Sequence, residues 1–139
     1  MAGRKPKPPK GLSETQGAFR ADIATDDIFT AYGQACAFTG RDLRAEAGTD
    51  PRGALLVLGD DPLTTDPTLL IPACLDAVYA FERRHLAVGL NYNLLVDLEA
   101  IAPEFLASLN PIGRLRLPAN PLFMPSLVAL ARQRQAFIA

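Results

Sequence analysis

The sequence predicts a single small α+β domain, residues 13–139, behind a flexible, basic, proline-rich tail at residues 1–12. Three observations predict it. Short apolar runs bounded by turn formers alternate with stretches whose apolar residues recur every three or four positions, the marks of strands and helices mixed in one chain. A length of 139 residues suits one hydrophobic core rather than two. A hydrophobic content of 49% against 21% charged residues is too apolar for a disordered chain. At the same time, no stretch approaches the ~20 apolar residues that a membrane-crossing helix needs.

Taken in order, the elements follow from local chemistry. Ser13 to Gln16 has the form of a capping box, in which each side chain satisfies an amide that a starting helix leaves free. A second start lies at Thr25-Asp26-Asp27, whose carboxylates favour the positive end of a helix over Asp26 to Tyr32, and Gly33 supplies a left-handed stop. Ala35 to Phe38 is predicted as a short strand turning back at Thr39-Gly40. After a polar stretch from Asp42 to Gly53, the run Ala54 to Leu58 suits a buried strand, and a loop follows from Gly59 to Pro67. Leu69 to Ile71 is short and apolar. Pro72 then fits the first turn of a helix whose Leu75, Val78, Tyr79 and Glu82 fall at core-facing spacing.

The hairpin comes next, with His85 to Val88 and Asn93 to Val96 as strands and Gly89 to Tyr92 as their connection. Pro103 opens a short helix closed by Asn110-Pro111. Arg114 to Leu117 alternates polar and apolar residues as a half-buried strand does. A last helix over Ser126 to Phe137 places Leu127, Leu130, Ala131 and Phe137 inward, with Arg132 and Arg134 outward.

Charge is unevenly distributed. Arg4, Lys5, Lys7 and Lys10 stand in the tail, which holds every lysine of the protein, leaving 10 of the 14 basic residues against all 15 acidic ones in the body. Prolines keep such a tail extended, and its cations suit phosphate contacts that release counterions. The first residues lack the apolar stretch and cleavage site of a secretory leader, so a cytoplasmic location and no membrane association are expected. Cys36 and Cys74 each sit in an apolar run with no second cysteine or histidine at ligand spacing, which reads as two buried, reduced thiols.

The residue inventory excludes several chemistries. His85 is the only histidine, and it lies beside Arg83 and Arg84, company that suits neither a general acid nor a cation site. With no second histidine and no cysteine pair at ligand spacing, zinc sites of the finger or protease type are excluded. A Gly-x-x-x-x-Gly-Lys-Ser/Thr phosphate loop and a Gly-x-Ser-x-Gly elbow are both absent, and no lysine outside the tail could form a Schiff base. Carboxylates remain: Asp60, Asp61 and Asp66 crowd one loop, and Asp76 stands on the helix after it. Two or three could hold Mg²⁺, although aspartates beside glycine and proline are ordinary turn formers.

Two segments carry a family resemblance. The stretch Phe29-Thr30-Ala31-Tyr32-Gly33-Gln34-Ala35-Cys36-Ala37-Phe38-Thr39-Gly40 resembles the opening of bacterial HNH endonuclease domains of the restriction type, with a helix ending in Tyr-Gly and a Cys-Ala-x-Thr-Gly segment after it. Leu109-Asn110-Pro111, Gly113-Arg114-Leu115 and Leu117-Pro118, followed by Pro121, Pro125-Ser126 and the final helix, are similar to the end of the same family; Ala129 to Arg134 stands where it often has Trp-His-Arg. Between them Phe81-Glu82 with Leu86 and Val88 matches its Phe-Asp segment and following strand, so the register holds over residues 16 to 138.

The resemblance implies a ββα-metal finger with flanking helices and hairpins. In that finger a histidine ending the first strand activates water, an asparagine orients the loop and a helix histidine helps hold the metal. This sequence departs at all three places: Leu58-Gly59, ahead of Asp60-Asp61-Pro62, replaces the first, Asp66-Pro67-Thr68 meets the second, and Asp76 to Val78 the third. The expectation is therefore an HNH-like domain without nuclease activity or cofactor, binding nucleic acid or a protein partner, another copy of itself included. Nucleic acid would be met by the tail cations and by Arg114, Arg116, Arg132 and Arg134. The competing reading is a divergent Mg²⁺-dependent phosphodiesterase built from Asp60, Asp61, Asp76 and His85.

Overall fold

The computed structural model describes residues 25–44 and 54–138, which form an α+β fold of four helices and two separate two-stranded antiparallel sheets. The capping box at Ser13 to Gln16, the tail and most of the polar stretch before Ala54 lie outside the described residues. Helix α1 spans 25–31 and turns Ile28 and Phe29 into the core while Asp26 and Asp27 stay exposed at its start. Gly33 takes φ 70° as expected of a left-handed stop. Its amide donates to Thr30 O and the Gln34 amide to Phe29 O, which satisfies carbonyls the helix end would otherwise strand.

The strand expected over Ala35 to Phe38 is corrected to a tight loop. One bridge, Ala35 to Asp42, marks its mouth, and the Cys36 amide donates to Arg41 O and the Gly40 amide to Cys36 O. The segment does fold back at Thr39-Gly40, but it spends its next amide elsewhere: Ala37 N–H donates to Pro72 O at 2.8 Å. That bond fastens the loop to the neighbouring sheet.

Strand β1 (Leu55–Val57) pairs with β2 (Leu70–Pro72), with Leu56 opposite Ile71. Bonds from Leu58 N to Leu69 O and from Ala73 N to Ala54 O extend the ladder at both ends, so the run Ala54 to Leu58 behaves as the buried strand its composition predicts. A 3-10 turn, Pro67–Leu69, leads into β2. Helix α2 (Leu75–Glu82) follows at once, giving a strand, strand, helix succession.

Two details of α2 differ from expectation. Pro72 ends β2 and Cys74 occupies the N-cap position, because the Pro72 carbonyl and the Ala73 amide are already committed to the loop and to β1. The buried face is Ala77, Ala80 and Phe81, whereas Leu75 and Tyr79 are 70% and 56% exposed and Glu82 is exposed as well. Periodicity located the helix but not its rotation: small alanines let the backbone approach the core, and the larger Leu75 and Tyr79 lie on the far side.

Strands β3 (Leu86–Val88) and β4 (Leu94–Val96) make the expected hairpin, with Gly89 and Tyr92 closing its turn. The Tyr92 hydroxyl donates to Pro125 O at 2.9 Å and ties the turn to the chain before the last helix. Helix α3 (Pro103–Ser108) ends before Asn110, as its Asn-Pro terminator predicts. Arg114 to Leu117 is corrected from a strand to an extended crossing with one bridge, Asn93 to Arg114. Its amides diverge: Leu115 donates to Tyr92 O and Arg116 to Ala37 O, so it links two parts of the fold and continues neither ladder.

Helix α4 (Leu127–Ile138) packs on β3. Leu130 is buried as expected, but Leu127 is 43% exposed, and Arg134, expected to point outward, donates from Nη1 to Val88 O at 2.7 Å. One cluster of buried side chains runs through α1, the 35–43 loop, β1, β2, α2 and β3 and takes in Leu115 and Leu130.

Candidate functional site

The β1, loop, β2, α2 segment positions the residues that the resemblance singles out. Leu58, immediately after β1, is 2% exposed and part of the core cluster, while Gly59 leads out at φ 91°. Asp60 and Asp61 follow on the exposed loop. Asp61 Oδ1 accepts from Leu63 N at 2.9 Å, and Asp66 Oδ1 accepts from both Thr68 N and Thr68 Oγ1, at 3.0 and 2.7 Å. These are the side-chain to backbone bonds by which aspartate shapes a turn and caps a short helix.

Asp76 and His85 stand elsewhere. Both line a cavity of about 530 Å³ between α2 and α3, together with Thr39, Arg41, Glu104 and Phe105. Asp60 and Asp61 do not line it, and among the described residues no three His, Cys, Asp or Glu side chains gather as a cation-holding group. The cavity thus joins an imidazole, a guanidinium and two carboxylates over an apolar floor, a lining of the kind that accepts small molecules. Beside it Arg83 stacks on the Tyr79 ring, 4.2 Å from its centroid.

The cations proposed from sequence divide by role. Arg4, Lys5, Lys7 and Lys10 lie outside the described residues. Arg114, Arg116 and Arg132 are exposed, and the Arg116 guanidinium lies over Gly33, so close that a Cβ there would stand 3.0 Å from Nη2. Arg134 is held by the Val88 carbonyl and serves the fold. The arginines do not act as one free set.

Sequence spacing missed the cysteine pair. Cys36 and Cys74 are buried and free, as expected, but the fold sets their sulfurs 3.8 Å apart although 38 residues separate them. Hydrogen bonding between the two sulfurs pulls Cys36 down to about 6, against the opposing effect of burial and with help from Thr39; Cys74 is pushed up by the same bond and by burial. The only available signal was that both residues sit in apolar runs, and that signal does not pair them.

Tyr32 is a second departure from routine burial. It is 1% exposed, and its hydroxyl has no hydrogen-bond partner among the described residues. Burial first, and the neighbouring Tyr92 second, push its ionisation well above the usual tyrosine range. The unfolded chain ionises Tyr32 near pH 10.0 while the folded chain holds it protonated, so stability is full below pH 10.0 and falls as pH climbs toward the folded value. Tyr32→Phe is expected to raise stability by about 1 kcal/mol by removing an unsatisfied buried hydroxyl. It is also expected to flatten the fall above pH 10.0, read from urea midpoints at pH 8 to 11. A loss of stability of that size would show that the hydroxyl is satisfied in solution.

Among the described residues no helix is long and apolar enough to cross a membrane. No family model, no curated protein and no solved structure matches this chain.

Proposed function

We propose that this chain is an HNH-like ββα domain that has lost its nuclease chemistry and works as a binding module for nucleic acid or protein. The observation that supports this reading best is the residue that follows β1. In a ββα finger that position presents a water-activating imidazole, and here it carries Leu58, packed into the core beside Gly59. A general base contributes roughly 10²- to 10⁴-fold to a hydrolysis, so its replacement by an aliphatic group leaves the scaffold inert. The strand, strand, helix order, with its ladder running from Ala54 to Leu58 against Leu69 to Ala73, agrees with the scaffold half of the reading.

The competing phosphodiesterase would need Asp60 and Asp61 beside Asp76 and His85, but only the latter two border the cavity between α2 and α3. The carboxylates of Asp61 and Asp66 are also engaged in their own turns.

Plasmid incubated with the protein and Mg²⁺ or Mn²⁺ is expected to remain supercoiled, with Asp60→Ala/Asp61→Ala indistinguishable from wild type. Cutting by wild type alone sinks the inert reading. For binding, retention of the full chain on duplex DNA is expected to weaken steeply with salt and to disappear when residues 1–11 are deleted, since phosphate neutralisation by Arg4, Lys5, Lys7 and Lys10 is the sequence-independent source of affinity. Salt-insensitive retention, or none, transfers the role to a protein partner.

A further inference from the structure

Cys36 and Cys74 are brought together by main chain, not by a chance side-chain rotamer. The bond from Ala37 N to Pro72 O, at 2.8 Å, joins the segments that carry them, and the α2 N-cap places Cys74 opposite the loop. Their sulfurs at 3.8 Å need to approach by roughly 1.8 Å to bond. Both thiols are buried, yet Cys74 borders the cavity between α2 and α3 while Cys36 does not. A small oxidant in that cavity therefore meets Cys74 first, with Cys36 placed to answer.

We propose that Cys36 and Cys74 are a peroxide-reactive dithiol that closes to a reversible intramolecular disulfide. As the Cys74 sulfur attacks one oxygen of a hydroperoxide, its proton passes to the neighbouring Cys36 thiolate. The O–O bond breaks, Cys74 becomes a sulfenic acid, and the released alkoxide or hydroxide takes the Cys36 proton. The Cys36 thiolate then attacks the Cys74 sulfur, the S–S bond forms, the S–O bond breaks, and the departing hydroxide is protonated by solvent. Two thiols and one hydroperoxide thus give one disulfide, one alcohol or water, and one further water. The low ionisation of Cys36 supports the scheme, because it keeps a thiolate beside Cys74 near neutral pH to take that proton. Thiol reductants reverse the closure by exchange. The inference is independent of the nuclease-like reading, since it uses neither the 59–66 loop nor any arginine.

The test uses the full-length chain, reduced, desalted and exposed to graded hydrogen peroxide. The monomer is expected to lose about 2 Da on closure and to resist N-ethylmaleimide at both sites, with dithiothreitol restoring both thiols. Non-reducing peptide mapping is expected to join the Cys36 peptide to the Cys74 peptide. In Cys36→Ser, peroxide should leave a dimedone-reactive sulfenic acid on Cys74. Two alkylatable thiols surviving peroxide in the wild type, or disulfides only between molecules, overturn the proposal. If Cys36→Ser does not fold, the wild-type mass and peptide map decide it alone.

Discussion

Phe81→Ala is expected to destabilise the protein by about 3–5 kcal/mol, a large part of the roughly 5–15 kcal/mol that holds such a domain folded. Phe81 is 2% exposed on α2, and its ring lies 6.1 Å from Phe38 at a 55° tilt, in the offset arrangement that aromatic pairs prefer. The contact joins α2 to the 35–43 loop, which is also tied to the end of β2 by the Ala37 to Pro72 bond and meets the α2 N-cap at the two thiols. Alanine leaves a void that the surrounding backbone, pinned by those bonds, cannot close. Phe81→Leu fills most of the volume and is expected to cost clearly less. Urea midpoints for the two variants check the ordering, and a Phe81→Ala loss below about 1 kcal/mol would mean that the loop does not pack on α2 in solution.

The same region shows what was legible in the sequence and what was not. Helix α1 with its Gly33 stop, strand β1, the β3 and β4 hairpin and α3 all follow from signals confined to a dozen residues: caps, apolar runs, turn formers. The 35–38 loop and the 114–117 crossing differ from the strands predicted there. Their local patterns are those of strands, and the difference lies in distant partners, Pro72 O for the first and Ala37 O for the second. The rotation of α2 was hidden for a related reason: Leu75 and Tyr79 are larger than Ala77 and Ala80, yet the fold buries the two alanines together with Phe81. Of the candidate site, the aspartates' role as turn formers was readable, because Asp61 and Asp66 bond within two residues of themselves. The meeting of Cys36 with Cys74, and of Asp76 with His85 and Glu104 around one cavity, depends on chain crossings that carry no local signature.

Arg134→Met is expected to cost about 1.5–3 kcal/mol, whereas Arg132→Met, two residues earlier on the same helix, is expected to stay within about 0.5 kcal/mol of wild type. The two arginines look equivalent in sequence, and both were expected to face outward toward a polyanion. Arg134 instead spends a charge-assisted hydrogen bond, 2.7 Å from Nη1, on the carbonyl of Val88, a residue 1% exposed in a strand covered by α4. Methionine keeps most of the aliphatic stem but leaves that carbonyl without its cationic donor, and burial makes the missing partner expensive. Arg132 is exposed and has no comparable role among the described residues. Salt sharpens the distinction: a surface cation acting through its field loses its effect as salt rises, while a partly buried donor held against a carbonyl does not. Denaturant midpoints at low and high ionic strength therefore separate the roles. Equal costs for the two substitutions would return Arg134 to the set of cations available for an external partner, and with it the case for a contiguous basic face on α4.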